Sequence, residues 1–491
     1  MAHPRLSPKT LALVPQPLRG AAERPVPGIV HLGIGAFFRA HGALYTREAI
    51  AAAGGDWGVI GVSLRSPQQR DLLAPQDFLY TAIERDAGGA RAAIVNILRE
   101  ILVAPENPAA VLERMARPAT RIVTLTVTEK GYCHDPANGT PHWEHPDIKY
   151  DLSNPRAPRS AVGFVVEALR LRRENSIAPF TAITCDNLPH NGKLLEGLVR
   201  AFAQRLDPEL ERWIATHAAF PSCMVDRIVP ATTEKDINDA AHLTGLADAA
   251  PVTHEPYRQW VIEDRFVEGP RPAWERCGVE FVANVAPYEN MKLRLLNASH
   301  SALAYLGYLA GYETIADAVA DRDLRDFVER LWREEIIPVT PIPQGTDALA
   351  YVDALMRRYS NTEIRHRTWQ IAMDGSQKLP QRILQTMRER LNRNLSIAHL
   401  ALVVAAWIRY VRGIDEAGKA IDVRDPFAAD LKAAIAKAGN AASEVRAALS
   451  FATIFGDLSK DARFAVAVIA AYERLQNEGA RRAARMEMER T

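Results

Sequence analysis

The sequence predicts an α/β protein, with a doubly wound parallel sheet domain over residues 1–285 and a mostly α-helical domain over residues 286–491. In the first half, short β-rich runs alternate with helix-compatible stretches, which is typical of a parallel sheet covered by helices on both faces. From about residue 290 onward, alanine-rich apolar spacing and scattered charges predict one helix after another. The change of pattern between Phe281 and Pro287 places the domain boundary.

The predicted strands are five runs of apolar and β-branched residues. They cover residues 29–32, 59–64, 92–98, 122–128 and 180–185, and the run at 92–98 is the weakest. In doubly wound sheets, ligands bind beyond the carboxyl ends of the strands. Glu129 and Asp186-Asn187 follow two of these strands directly, so they are candidate site residues, although strand ends are also ordinary turn positions.

A glycine turn follows the first strand and precedes a helix-compatible segment. Its residues are Gly33-Ile34-Gly35-Ala36-Phe37-Phe38-Arg39. Glycines at such a turn let backbone N–H groups approach a pyrophosphate at the positive end of a helix, which predicts a Rossmann-type dinucleotide-binding domain. Phe38 stands where the GxGxxG pattern has its third glycine, and two nearby glycines also fit a purely structural turn.

The second strand leads into Arg65, at a position where an acidic residue often binds the adenosine ribose. An arginine there either stacks on the adenine or meets a 2′-phosphate. The residues alone therefore leave the choice between NAD and NADP open.

The helical half is predicted to contain helices at 297–309, 323–335, 379–392 and 397–410. Just before the first of them, the stretch from Lys292 through Asn297 to His300 sets an amine, an amide and an imidazole along about two turns. On a regular α-helix, Asn297 lies roughly 140°, His300 roughly 80° and Glu289 roughly 60° around the axis from Lys292. These side chains can share one side and deprotonate an alcohol, whereas the alternative is an amphipathic helix with solvated polar residues.

Charge and composition exclude some classes of partner. Lys and Arg number 60 and Asp and Glu number 59, which gives a net charge of +1 and no electrostatic reason to expect nucleic acid or an anionic membrane. The N-terminal region is interrupted by prolines and lacks the order of a signal peptide, and the apolar stretch at 400–408 is too short to span a bilayer. We expect a soluble cytoplasmic protein that acts on a small molecule.

The four cysteines, Cys133, Cys185, Cys223 and Cys277, form no CxxC pair, which argues against a disulfide framework or a structural zinc site. Cys133 and the histidines at 134, 142 and 145 are conceivable metal ligands. Their proline-rich setting is more typical of a surface loop, so we expect no metal there.

Three segments resemble the signatures of the polyol-specific long-chain dehydrogenases, the mannitol dehydrogenase family. They are Gly33–His41, Met224–Pro230 and Lys292-x4-Asn297-x2-His300. Four further segments are most similar to the family members that act on six-carbon sugar acids: Val127–Cys133, Cys185–Asn187, Arg365–Gln370 and Asp374–Arg382. The similarity extends from about residue 28 to near the C-terminus. Phe38 departs from the family pattern, which usually has histidine there.

The resemblance implies an NAD-dependent interconversion of D-mannonate and D-fructuronate by hydride transfer at C5, without a metal ion. It assigns Lys292 as general base, Asn187 and Asn297 to the developing alkoxide, His300 to orienting the reacting oxygen and Glu289 to proton relay. A lysine pKa near 10.4 would have to fall to about 7–8 for this role. The residues expected at the cofactor are Gly33, Ile34, Gly35, Ala36, Phe37, Arg39, Arg65, Glu129 and Asp226.

Selectivity for a sugar acid requires a cation for the carboxylate. Lys378 matches a substrate lysine of the family, and Arg365, Arg367 and Arg382 are further candidates in the same segment, although Arg365 and Arg367 also fit a solvated basic face. Two other functions stay open. One is a sister activity on mannitol, arabinitol or tagaturonate; the other is a non-catalytic sensor of sugar acid or dinucleotide, which would have no need of the lysine, asparagine and histidine together.

Overall fold

The computed structural model describes residues 3–19, 24–135 and 138–489. The chain divides into two compact units, Met1–Ala286 and Pro287–Thr491. The first unit contains parallel sheet and helices and the second is helical, which confirms the predicted fold class. Residues 136 and 137, in the proline-rich loop expected after Cys133, lie outside the described residues.

All the strands found in the described residues belong to the first unit. They are β1 Pro27–Leu32, β2 Gly58–Ser63, β3 Tyr80–Asp86, β4 Gly89–Val95, β5 Leu98–Val103, β6 Ile122–Leu125, β7 Thr181–Thr184, β8 Cys223–Asp226, β9 Val252–His254, β10 Gln259–Glu263 and β11 Glu280–Val282. The helices of this unit are α1 Gln16–Arg19, α2 Ala36–Ala40, α3 Gly42–Ala53, α4 Gln68–Leu73, α5 Pro108–Ala116, α6 Thr128–Gly131, α7 Pro146–Ser153, α8 Ala161–Glu174, α9 Asn191–Leu206, α10 Pro208–His217 and α11 Glu234–Thr244.

The main sheet has the strand order β5-β2-β1-β6-β7, and every pair in it is parallel. Val30 in β1 lies opposite Ile60 on one side and Val123 on the other. The strands are buried, which is why they appear in the sequence as continuous apolar runs. The chain leaves β1 to build β2 on one side and later returns to add β6 on the other, so the carboxyl end of β1 is the topological switch point where such sheets bind ligands.

Two small sheets were not predicted: β4-β3-β9 and β11-β10-β8. The weak run at 92–98 is divided between sheets, because β4 pairs antiparallel with β3 while β5 pairs with β2 in the main sheet. Asp86 lies opposite Gly89, so β3 and β4 form a hairpin with a two-residue loop. The glycine pair Gly88-Gly89 is the sequence signal for this hairpin.

The second unit is built from helices around one continuous core. Its α-helices are α12 Ala286–Met291, α13 Ala298–Leu309, α14 Ile315–Ala320, α15 Arg322–Arg330, α16 Ala348–Tyr359, α17 Thr368–Ala372, α18 Gly375–Leu379, α19 Gln385–Asn392, α20 Ala398–Val411, α21 Ala428–Ala436, α22 Ala441–Leu449, α23 Ala452–Phe455 and α24 Ala462–Glu489. Helix α24 is kinked at Gly479. Among the described helices, none is both long and apolar enough to cross a membrane.

Three segments of this unit are π-helical: π1 Lys292–Asn297, π2 Leu331–Ile336 and π3 Pro380–Leu384. Each falls at the start of, or inside, a helix that the sequence predicted as regular. The helices predicted at 323–335 and 379–392 are present, and each contains one π-helical segment. Apolar spacing does not distinguish a wide turn from a regular one, because both bury one face.

Candidate active site

The glycine turn after β1 has the geometry that its residues predict. Gly33 adopts a positive φ of 91°, and a Cβ there would lie closer than 3.0 Å to the carbonyl oxygen of Thr126. Among the described residues, and apart from its two chain neighbours, a Cβ on Gly35 would have only the Gly33 oxygen within 4 Å, at 3.8 Å, so the space in front of Gly35 is open. Glycine is thus required at the first position by backbone geometry, and at the second it leaves room for a ligand to approach the chain.

Aromatic packing supports this turn from inside the protein. The His31 ring bonds through Nδ1 to the Thr124 hydroxyl at 2.8 Å and through Nε2 to the Thr126 hydroxyl at 2.9 Å. Phe38 stacks on the same ring with centroids 3.6 Å apart. Burial lowers the pKa of His31 to about 3, so the ring is neutral. Phe38, the departure from the family pattern, is a buried core residue beneath the turn.

A cavity of about 780 Å³ lies at the carboxyl ends of the central strands. Such a volume is typical of small-molecule and cofactor sites. It contains the ends of β1, β2 and β6 and part of the segment before α8, with lining residues that include Gly33, Ile34, Gly35, Ser63, Arg65, Thr126, Val127, Thr128, Tyr150, Arg159 and Ser160. Four of the residues predicted at the cofactor therefore line one cavity: the glycine-turn residues 33–35 and Arg65.

The other predicted cofactor residues do not line this cavity. Ala36 and Phe37 are half-buried in α2, and Phe37 stacks on His41 at 4.9 Å. The Arg39 guanidinium is buried and donates to the Ala250 carbonyl at 2.6 Å. Glu129 is exposed in α6, whereas Asp226 is buried at the end of β8.

Asp186 organises the strand ends at β6 and β7. Its carboxylate accepts the backbone N–H groups of Val127 at 2.9 Å and Thr128 at 3.0 Å, and the Tyr132 hydroxyl at 2.7 Å. Burial raises the pKa of this carboxyl group in spite of these donors. In the segment Cys185–Asn187, which resembles the family, Asp186 thus holds the backbone that follows β6. The adjacent Asn187 side chain is exposed at the same edge of the sheet.

Cys133, His145 and Asp147 place one ligand atom each within 4.8 Å of one another. Cys133 and Asp147 also line the cavity. Burial raises the pKa of the Cys133 thiol to about 11, so it is protonated at neutral pH. Of the cysteine and the three histidines considered from the sequence, only Cys133 and His145 belong to this group.

In the second unit, the polar residues predicted at the reaction centre begin on π1. Lys292, Asn297 and His300 are buried, with 6%, 7% and 6% of their surface exposed, and Glu289 is half-buried on α12. The Ala298 N–H reaches the Leu293 carbonyl five residues earlier, as a π-helix requires. The angles expected from a regular helix are therefore wrong for this stretch, because its turn is wider than 3.6 residues.

The carbonyl groups of π1 are bound by side chains from other helices. The Leu295 oxygen accepts from Trp332 Nε1 at 2.9 Å, and the Leu296 oxygen accepts from the Tyr359 hydroxyl at 2.9 Å. Arg382 Nη1 lies 3.4 Å from the Asn297 oxygen. These donors stabilise a turn that is less regular than an α-helix, and wide turns of this kind are frequent at functional sites.

A cationic cluster surrounds His300. Its ring stacks on Tyr359 at 5.1 Å and meets the edge of the His366 ring at 4.7 Å. Burial lowers the pKa of His300 well below its ordinary value, and the nearby side chains of His366, Arg382, Arg358 and Lys378 act in the same direction. The imidazole is neutral at neutral pH and sits in a positive potential.

Lys378 is positioned by a tightly packed turn. Asp374 has a φ of +54°, and a Cβ on Gly375 would lie closer than 3.0 Å to the side chains of Trp407 and Tyr305. The Lys378 ammonium donates to the Met373 carbonyl at 2.5 Å and to the Ile371 carbonyl at 3.1 Å. The residues of the Asp374-Gly-Ser-Gln-Lys pattern thus form a turn that holds the Lys378 side chain in one position.

The other two candidate cations are elsewhere. Arg365 and Arg367 have side chains that are 67% and 61% exposed, and both pair with Glu313, at 3.0 Å and 3.6 Å. The structure therefore brings Lys378 and Arg382 to the His300 cluster and leaves Arg365 and Arg367 at the surface.

Comparison with known proteins matches both units. The family model described as the mannitol dehydrogenase Rossmann domain matches residues 27–276, and the mannitol dehydrogenase C-terminal domain matches residues 284–476. The chain belongs to the mannitol dehydrogenase family, a family of oxidoreductases. It is 49% identical to D-mannonate oxidoreductase of Escherichia coli K12, over 92% of this chain and 94% of that protein.

Two further relatives of this mannitol dehydrogenase family member are polyol enzymes by name. Mannitol 2-dehydrogenase of Aspergillus fumigatus is 39% identical over 96% of this chain and 94% of that protein. The solved structure of Pseudomonas fluorescens mannitol 2-dehydrogenase, a ternary complex with NAD and D-mannitol, is 35% identical, with a TM-score of 0.91 over 99% of this chain and 100% of that one.

Sequence reasoning missed His366, Arg358 and Tyr359, which this family member places around His300. Arg367 forms an isolated antiparallel bridge with Thr314. Successive side chains of extended backbone point to opposite sides. The alternation of Arg365, His366 and Arg367 was therefore a signal that the histidine and the two arginines face opposite sides.

Proposed function

We propose that the chain interconverts D-mannonate and D-fructuronate by NAD-dependent hydride transfer at C5, with Lys292 as the general base. The observation that carries the choice of a sugar acid is the cluster of Arg358, Lys378 and Arg382 around the neutral imidazole of His300. Three half-buried cations that act on one buried imidazole favour an anionic substrate. The 49% identity to an enzyme named D-mannonate oxidoreductase supports the same choice.

The glycine-turn cavity fits a dinucleotide. Gly33 lets the backbone turn against Thr126, and the open space in front of Gly35 admits a pyrophosphate to the backbone N–H groups. Arg65 lies at the second strand end, where the adenosine part of a dinucleotide binds. NAD supplies the hydride acceptor in the oxidation direction. The presence of NAD in the Pseudomonas fluorescens complex favours it over NADP.

Lys292 would take the hydroxyl proton as hydride leaves, so that no protonated carbonyl develops. This role requires a neutral amine, and Lys292 is buried. Glu289, half-buried and three residues earlier, is suited to pass the proton on to water. This assigns to a lysine the role that a metal ion has in other alcohol dehydrogenases.

Amide donors would stabilise the alkoxide. Asn297 closes the same π-helical turn that Lys292 opens, and it is buried. Asn187 joins it in this proposal through the resemblance of its Cys185-Asp-Asn segment to the family. His300 is neutral, so it can hydrogen-bond the reacting oxygen without adding a charge.

The substrate carboxylate would bind to Lys378 and Arg382, with Arg358 nearby. Arg382 Nη1 is already held 3.2 Å from Ser301 Oγ, which orients its guanidinium toward the His300 helix. Arg365 and Arg367 are left out of this proposal because their charges are matched at the surface by Glu313.

A second candidate function is mannitol 2-dehydrogenase. The fit over nearly the whole chain to a mannitol complex favours it. A polyol, however, has no carboxylate to match three cations, so this activity would leave Arg358, Lys378 and Arg382 without a substrate role.

The experiment is to follow NADH absorbance with D-fructuronate, D-tagaturonate and D-fructose in parallel, and to repeat it with NADPH. Rapid oxidation with fructuronate and NADH supports the proposal. Preference for fructose would move the protein to the polyol activity, and no oxidation with any pair would favour the sensor.

The base is tested by Lys292→Ala. Loss of a general base lowers kcat by about 10²–10⁴-fold. Lys432→Ala, which removes an exposed lysine of α21, is the control and should keep full turnover. Near-normal kcat in Lys292→Ala would show that another group takes the proton.

A further inference from the structure

The segment Arg365-His366-Arg367 turns its histidine inward between two surface arginines. The His366 ring lies edge-on to the His300 ring, with centroids 4.7 Å apart and planes at 80°. Its backbone is fixed, because the Ile315 N–H donates to the His366 carbonyl at 3.0 Å. This backbone bond holds the imidazole beside the proposed reaction centre.

These two imidazoles have buried nitrogens without partners. Nε2 of His300 and Nδ1 of His366 are buried, and neither hydrogen-bonds to a described residue. Buried polar atoms in proteins are nearly always paired, so two unpaired ones in adjacent rings need an explanation. A polyhydroxy ligand at this point would supply one, because its hydroxyl groups would hydrogen-bond to these nitrogens.

The charges around His366 define the kind of contact it can make. Burial lowers the pKa of His366 to about 4, and Lys378 and Arg358 act in the same direction. The ring is neutral at pH 7, so it both donates and accepts, as a hydroxyl partner must. Lys378 and Arg358 are suited to bind a carboxylate, and the neutral imidazole is suited to hydrogen-bond a hydroxyl group.

We infer that His366 is a substrate-binding residue that hydrogen-bonds a hydroxyl of the sugar acid close to its carboxylate, and that it sets the preference between epimeric six-carbon ketouronates. D-fructuronate and D-tagaturonate differ in the configuration of one hydroxyl-bearing carbon. A single well-placed hydrogen bond distinguishes such a pair. The inference rests on the proposed function, since it concerns the substrate of the same site.

The test compares wild type, His366→Phe and His366→Gln with both ketouronates and NADH. The phenylalanine keeps an aromatic ring beside His300 and removes the nitrogens, although its ring is one atom larger than imidazole. We expect its KM for fructuronate to rise roughly tenfold with kcat little changed, which is the size of one lost hydrogen bond, and the preference for one epimer to collapse. His366→Gln should recover most of the KM, because its amide replaces a ring nitrogen. Glu363→Ala, an exposed neighbour, is the control and should match wild type.

An unchanged KM and epimer preference in His366→Phe would overturn the inference, as would a fall in kcat alone that glutamine does not rescue. His366→Leu gives the same test if the phenylalanine variant does not fold. Wild type that oxidises NADH with neither ketouronate would instead overturn the proposed function, and this inference with it. The two failures are thus distinguished by the wild-type rate.

Discussion

His41 predicts a specific dependence of stability on pH. It is 1% exposed, its Nε2 bonds to the Gln259 carbonyl at 2.9 Å, and its ring lies 5.6 Å from Trp260. Burial lowers its pKa to about 3. Below pH 6.5 the unfolded chain takes up a proton that the folded chain does not. The histidine's contribution is therefore fully present above about pH 6.5 and is lost as the pH falls toward 3.

The magnitude follows from the size of the shift. Each pH unit below 6.5 costs about 1.4 kcal/mol of unfolding free energy for this one residue, so about 2 kcal/mol is lost at pH 5. His41→Phe removes the titration and leaves the Gln259 carbonyl without its donor. At pH 7.5 the variant should be less stable than wild type by about 1–2 kcal/mol. By pH 5 the two proteins should have nearly equal stability.

The assay is urea unfolding followed by tryptophan fluorescence at pH values from 5 to 7.5. His217→Phe, which replaces an exposed histidine of α10, is the control and should lose stability in parallel with wild type. If His41→Phe also remained parallel to wild type, the histidine would not be neutral in the folded protein, and the reasoning from burial would be refuted.

Three further predictions concern backbone and turn positions. Gly33→Ala forces a side chain into a left-handed conformation and against the Thr126 carbonyl, so NADH affinity measured by fluorescence titration should fall at least about tenfold; unchanged affinity would contradict the glycine-turn site. Gly375→Ala must displace Trp407, so we expect a loss of about 1–3 kcal/mol in unfolding free energy and a raised KM for the sugar acid. An unaltered KM would show that this turn does not position Lys378 for the substrate. Asp186→Asn weakens the acceptors at the β6 turn, so kcat/KM should fall about tenfold with little change in the thermal midpoint; a loss of stability alone would make its role purely structural.

The sequence predicted four strands of the main sheet, β1, β2, β6 and β7, because they are buried and stand out as apolar runs. It missed β5, which carries Arg99 and Glu100 and overlaps the predicted run at 92–98 only at Leu98. The sequence also predicted the position of the glycine turn. Gly33 has a positive φ that few other residues adopt, so a glycine marks the turn in the sequence. The two small sheets were missed because their strands are short or carry polar residues, as in the β3–β4 hairpin.

The candidate site was harder to derive from the sequence. Spacing along Lys292–His300 placed these residues on one side of a regular helix, whereas the structure has a wide turn that is stabilised by Trp332 and Tyr359 from distant helices. The sequence also could not show which of the candidate cations lie near His300 and which lie at the surface. Only the position of Glu313 in the fold shows that Arg365 and Arg367 are paired at the surface.

The π-helical turn at Lys292–Asn297 makes the site sensitive to residue number as well as residue identity. A π turn is equivalent to an α-helix with one residue inserted. Deleting a single residue there would restore a regular helix and keep Lys292, Asn297 and His300 in the chain, but it would rotate the lysine about 100° relative to the histidine. If Lys292 and His300 act together as proposed, such a deletion should yield a folded but inactive protein, and the number of residues in this turn would matter as much as their identity.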